Sequence, residues 1–188
     1  MQRRKQREYS GIQSHSLRKS RESVKPITEI YFFSNEKGII NINGHEHEVE
    51  AGDCYVIPAN NTHFVDARNN MNFVCVCTPP WTVEHEFIVE DFISENDYSN
   101  IMEYGVVYES ESLIVEYNLL KKEEKFSKII ADNKKEVYYF AKGNGEITID
   151  DEIRKINEGE GFEILPNQEV TIIANEDLIY LNVIDEIK

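Results

Sequence analysis

Chemistry in this chain would centre on a carboxylate and an imidazole, Glu29 and His63, which fall on extended segments that can face one another. A carboxylate beside an imidazole orients the ring and suits proton transfer on a sugar or keto acid. Tyr31 and Tyr55, with Lys25 at the rim, could add hydrogen bonds to a polar ligand. Glu29 and His63 could equally be a satisfied buried pair, since buried polar groups need partners whatever their purpose. Cys75 and Cys77 lie two apart on one face of an apparent strand and could bind a soft metal. With no further cysteine nearby, and free cysteine so often buried, they read as packing. His85, between Glu84 and Glu86, sits in a polar stretch and reads as surface.

The elements that must position the pair lie between Thr28 and Phe64, read as four short strands joined by tight turns. Glu29, Tyr31 and Phe33 share one face of the first, because alternate residues of a strand point the same way. Asn43-Gly44 predicts a type I′ hairpin, which needs positive φ at both central positions. Gly52-Asp53 turns the chain again; Cys54–Ile57 then runs into Pro58 and an Asn-rich loop ending at His63. Upstream, Tyr9–Lys19 could form a first strand, and Ser20–Pro26 reads as a charged loop. Downstream, Asp66–Asn70 reads as a turn and Met71–Thr78 as a strand buried on both faces. Thr82–Asn100 looks like a connector, with a weakly patterned helix conceivable over Val83–Ile93.

The second half repeats the first. An offset of 107 residues aligns Glu29 with Glu136, Tyr31 with Tyr138, Gly38 with Gly145, Gly52 with Gly159 and Asn60 with Asn167, without a gap from Glu29 to Ala67. A register kept across several strands and turns implies a duplicated barrel, because solenoid repeats are far shorter. His63 has Val170 as its counterpart, and residues 129–131, equivalent to the stretch before Glu29, are apolar. The second copy therefore looks unable to hold a metal.

Composition sets the outer bounds. The 188 residues allow one large domain or two of roughly 90 residues each. Ten Tyr and nine Phe favour strands. A net charge of −15 argues against a nucleic-acid-binding body and against docking on anionic lipid. The charge is uneven: residues 1–25 hold eight Lys/Arg against two Asp/Glu, leaving 12 against 33 for the rest. The basic leader at residues 1–8 reads as a solvated tail or a strand swapped onto a neighbouring subunit. No apolar run approaches the roughly 18 residues of a membrane span, and no apolar stretch follows the basic residues as in a secretory signal. Three cysteines make no disulfide framework, so reduced thiols and a cytoplasmic location are expected.

Gly52, Pro58 and His63, spaced as a glycine, five residues, a proline and a histidine five further on, make the chain resemble the cupin superfamily. Asn60 stands where that motif has its second glycine, and Ala67 where it has asparagine. Glu29 fits the glutamate of the other cupin motif, but the two histidines that should precede it fall on Ser23 and Lys25, or on Glu22 and Val24. The resemblance implies an all-β fold of two tandem jelly-roll (double-stranded β-helix) barrels, a bicupin. Its parts would be a basic tail at 1–8, an N-terminal barrel at 9–81, a connector at 82–105 and a degenerate C-terminal barrel at 106–188. It also implies one divalent metal (Mn, Fe, Zn or Ni) in the N-terminal barrel, of whose usual ligands only Glu29 and His63 carry over; a barrel without metal is equally compatible. His45 and His47, an H-x-H on a different strand, are further candidate ligands, set against a half-exposed strand face at a sheet edge. The function expected is binding of a sugar or other small polar metabolite in the N-terminal barrel. The alternative is a metal-dependent isomerase, lyase or oxygenase using Glu29 and His63. A small-molecule ligand and a homodimer are the expected partners.

Overall fold

A computed structural model describes residues 12–14, 23–24, 27–66, 71–82, 87–88 and 97–187. The chain is all-β and folds as two jelly-roll barrels in tandem; among the described residues there is no helix. Barrel one comprises β1 (Ile12–Ser14), β2 (Ser23–Val24), β3 (Thr28–Ser34), β4 (Gly38–Ile42), β5 (His45–Val49), β6 (Cys54–Ile57), β7 (Thr62–Asp66), β8 (Asn72–Thr78), β9 (Phe87–Ile88) and β10 (Ser99–Ile101). They form two facing sheets, ordered β1-β8-β3-β6-β10 and β5-β4-β7-β2-β9. Barrel two comprises β11 (Gly105–Glu109), β12 (Leu113–Leu120), β13 (Lys125–Ile129), β14 (Lys134–Lys142), β15 (Gly145–Ile149), β16 (Glu152–Ile156), β17 (Glu160–Ile164), β18 (Glu169–Ala174) and β19 (Leu178–Glu186). Its sheets run β11-β12-β19-β14-β17 and β13-β18-β15-β16.

Local geometry follows the turn chemistry of the sequence. Asn43 and Gly44 take φ of 52° and 82°, as the type I′ hairpin between β4 and β5 requires. The duplication is legible in the backbone as well. Positive φ recurs at Asn43 and Asp150, at Gly52 and Gly159, and at Asn60 and Asn167, each pair 107 residues apart. Strand pairing repeats too, with Glu29 opposite Ile57 and Cys77, and Glu136 opposite Ile164 and Ile184.

Some expectations need correcting. His63 does not end a loop: it lies within β7, a fifth strand that begins inside the stretch read as four. Ser23–Val24, read as charged loop, is a strand because it pairs with β7 and β9. The stretch read as connector gives β9 and β10 to the sheets of barrel one, so Phe87–Ile88 is extended and not helical. The 1–8 tail, Lys25, His85, residues 67–70 of the turn and the acidic 91–96 segment lie outside the described residues. No helix among the described residues is long and apolar enough to cross a membrane.

Strict alternation along β3 feeds two cores, that of barrel one and that between the barrels. Tyr31 and Phe33 point into barrel one, where they pack with Ile40, Tyr55, Phe73 and Cys75. Ile30 and Phe32 point the other way and meet Val115, Tyr117, Leu181 and Val183 of barrel two. The rings of Tyr117 and Tyr139 stand edge-on to Phe32 at 5.8 and 6.1 Å. Two hydrogen bonds flank this shared core: Tyr117 donates to the Gly52 carbonyl at 2.9 Å, and the hydroxyls of Ser34 and Tyr139 lie 2.6 Å apart. β3 is therefore buried on both faces, one per barrel.

Phe32, wholly buried, tests that coupling. Phe32→Ala is expected to lower stability by about 3–5 kcal/mol, the usual range for deleting a core aromatic ring. The measurement is urea denaturation followed by circular dichroism. A loss below about 1 kcal/mol would mean that the barrels do not depend on each other through this ring.

Candidate functional site

Glu29 sits on β3 and His63 on β7, one on each sheet of barrel one. Both side chains point inward, with Glu29 1% and His63 4% exposed. Glu29 Oε2 and His63 Nε2 lie 2.5 Å apart, although their approach is out of line for an ideal hydrogen bond. The other ring nitrogen, Nδ1, lies 3.1 Å from the carbonyl oxygen of Asn61. A carbonyl only accepts, so Nδ1 carries a hydrogen and donates it. Nε2 then faces the carboxylate, and two bare acceptors at that separation would repel. A hydrogen between the two atoms would relieve that repulsion.

Tyr31 stands edge-on to the His63 ring at 5.5 Å and lies opposite Tyr55 in the β3–β6 register. Burial, reinforced by the neighbouring Cys75 and Glu29 charges, holds the Tyr31 hydroxyl well above the usual phenol range, so it remains protonated. Burial also raises Tyr55. Its ring lies 5.7 Å from that of His47.

The remaining candidates divide. His47 Nε2 and the Tyr98 hydroxyl are hydrogen-bonded at 2.7 Å, and His45 is exposed on β5, an edge strand. Neither belongs to the donor cluster around Glu29. Cys75 and Cys77 do. β8 lies beside β3 with Cys77 opposite Glu29 and Cys75 opposite Tyr31. Both thiols stand 3.5 Å from Glu29 Oε1 and 3.7 Å from each other. Their shared face was legible in the sequence; their position next to Glu29 required the β3–β8 register. Cys54 is different: it lies in the core between the barrels, and burial pushes its thiol up to about 12.

Barrel two has settled the same buried carboxylate another way. Glu136 Oε2 meets Lys128 Nζ at 2.6 Å, and accepts from the Tyr138 hydroxyl at 2.8 Å and Asn182 Nδ2 at 3.0 Å. Lys128 lies opposite Val170 just as Ser23 lies opposite His63. The equivalent of the strand before Glu29 is thus centred on Lys128, two places upstream of where the constant offset puts it, because the loop to Glu136 is two residues longer. The apolar reading of 129–131 missed this cation. An open groove of about 570 Å³ also lies on barrel two, lined by residues including Asp150, Glu152, Arg154 and Glu163, away from either carboxylate.

The Lys128–Glu136 pair gives a direct test. Lys128→Met should destabilise the protein by roughly 3 kcal/mol, since removing one partner leaves a charge buried without its counterion. Adding Glu136→Gln should recover most of the loss. Thermal denaturation of the two variants checks this, and equal instability of single and double variants would refute the ion-pair account.

Comparison with known proteins places the site in context. The family model of ectoine synthase matches residues 19–90, which contain Glu29, His63, Cys75 and Cys77. Among solved structures, salicylate 1,2-dioxygenase from Pseudaminobacter salicylatoxidans superposes with a TM-score of 0.59 at 13% identity, over 94% of this chain and 70% of that one. A variant of that dioxygenase in complex with gentisate gives 0.62 at 12% identity, over 93% and 67%. A cupin 2 conserved barrel domain protein from Leptotrichia buccalis gives 0.58 at 14% identity, over 96% and 92%. No curated protein matches in sequence. At these identities the likeness is one of fold.

Proposed function

We propose that barrel one of this chain, whose tandem barrels share the fold of cupin proteins, binds a small polar metabolite, such as a sugar, at Glu29 and His63. Barrel two serves as its structural support. The observation that carries this reading is the asymmetry between two equivalent carboxylates. Glu136 is neutralised by a lysine, whereas Glu29 faces an imidazole whose other nitrogen is already committed to Asn61. An imidazole can give up or take a proton near neutral pH, which a lysine in a strong ion pair does not. His63 holds the proton at Nε2 and Glu29 receives or returns it at Oε2. Tyr31, kept as a hydroxyl, is a donor to a polar ligand, with Tyr55 opposite it as a second.

The thiols beside Glu29 favour a second reading, in which this barrel is a metal-dependent isomerase, lyase or oxygenase. Glu29 and the cysteines would hold the ion. It would supply Lewis acidity for a carbonyl or hydroxyl oxygen. His63 would remain the group that takes or gives the proton.

A library of sugars, keto acids and hydroxybenzoates, gentisate among them, tests the binding reading by thermal denaturation. A ligand that binds the folded state raises the melting temperature by mass action. At least one compound is expected to do so, and Glu29→Gln or His63→Ala should abolish the shift while Glu136→Gln leaves it intact. A shift that survives both barrel-one substitutions, or a library with no shift at all, would overturn the proposal.

A further inference from the structure

We propose that Cys75, Cys77 and Glu29 form a three-donor site for a divalent ion of the zinc class, with His63 positioning the carboxylate. This deepens, and rests on, the reading of barrel one as the working barrel. The three donor atoms stand within 4.8 Å of one another, and all three side chains are buried.

Their separations fit one coordination sphere. With zinc–sulfur bonds of about 2.3 Å and zinc–oxygen bonds of about 2.1 Å, tetrahedral angles place two sulfurs about 3.8 Å apart and a sulfur and an oxygen about 3.6 Å apart. The corresponding distances here are 3.7 Å between the thiols and 3.5 Å from each to Glu29 Oε1. Both thiols donate to Glu29 Oε1, contacts that a bound ion would replace with thiolate–metal bonds at the same spacing; Cys54, the third buried thiol, stands outside the triangle in the core between the barrels.

His63 completes the arrangement from outside the triangle. It touches the other carboxylate oxygen, Oε2, and its Nδ1–H is anchored on Asn61. Ligating carboxylates are commonly held by such outer partners. Three protein donors with a fourth position open is the pattern of catalytic zinc sites. Thiolates also select among metals: they suit zinc and iron and disfavour manganese, which prefers oxygen donors. The set replaces histidines from β2, on the opposite sheet, with cysteines from β8, on the same sheet as Glu29.

Full-length protein stripped with a chelator and titrated with cobalt(II), a spectroscopic stand-in for zinc, tests the assignment. A single equivalent should produce thiolate-to-cobalt charge-transfer absorption in the near ultraviolet. The bands should weaken in Cys75→Ser or Cys77→Ser, vanish in the double variant and persist in Cys54→Ala. Zinc should raise the melting temperature and manganese, at equal concentration, should not. Zinc affinity of the double variant should fall by more than the about 10–100-fold that loss of an outer-shell partner costs. His63→Ala should keep the bands at saturating cobalt; their loss there would make His63 a ligand and overturn the three-donor set. Bands retained in the folded double variant, or absent from the folded wild type, would overturn the site itself. Metabolite shifts that depend on Glu29 and His63 without any cobalt binding would sink only the metal site. Thiolate bands without such shifts would sink only the binding reading.

Discussion

Each barrel of this chain buries a glutamate at the same place, and a buried carboxylate must be neutralised or hydrogen-bonded, because desolvating a lone charge costs several kcal/mol. The two copies meet that constraint with different partners. In barrel two the ammonium of Lys128, a tyrosine hydroxyl and an asparagine amide converge on Glu136. In barrel one the neighbours of Glu29 are an imidazole and two thiols. The first set is an ion pair with two hydrogen bonds added to it. The second consists of groups that exchange protons or ligate metals, so the same electrostatic demand is met by groups able to react.

The packing shows how barrel two bears on β3. β3 carries Glu29, Tyr31 and Phe33 on one face and Ile30 and Phe32 on the other. The second face is covered by β12 and β19 of barrel two through Val115, Tyr117, Leu181 and Val183. Burial of one face already specifies a strand's register, and β3 has that constraint on both faces. Barrel two thus reaches the site without contributing a residue to it. Its aromatic contacts on Phe32 hold the backbone from which Glu29 projects. That is a positioning role, and it does not require Glu136 to do chemistry.

Much of this was legible in the residues. The repeat at 107, the Asn43-Gly44 hairpin, the shared face of Glu29, Tyr31 and Phe33, and the double burial of Met71–Thr78 all follow from period-two alternation and turn chemistry. Those are local properties. What escaped was non-local. Cys75 and Cys77 visibly share a face, but which strand lies beside them depends on sheet order, which no local pattern encodes. Lys128 escaped because a constant offset cannot register a two-residue insertion in a loop. The sequence alone puts His63 at the end of a loop because Asn60, Asn61 and Thr62 carry turn composition; pairing to β4 and β2 overrides that preference and makes it strand.

The register of β8 against β3 has one more consequence. Residues directly opposite on adjacent antiparallel strands hold their side chains about 5 Å apart at Cβ, a separation fixed by backbone hydrogen bonds. Cys77 is opposite Glu29, and Cys75 follows one pleat along, opposite Tyr31. All three donors therefore ride on a single hydrogen-bonded sheet, and their spacing does not depend on how the two sheets of the barrel breathe. His63 comes from the other sheet and meets Oε2, the carboxylate oxygen away from the thiols. A change in the gap between sheets would alter the Glu29–His63 contact first and leave the thiol–carboxylate triangle intact. The arrangement would separate the two tasks proposed for it: holding an ion, on one hydrogen-bonded sheet, and moving a proton, at the contact between sheets.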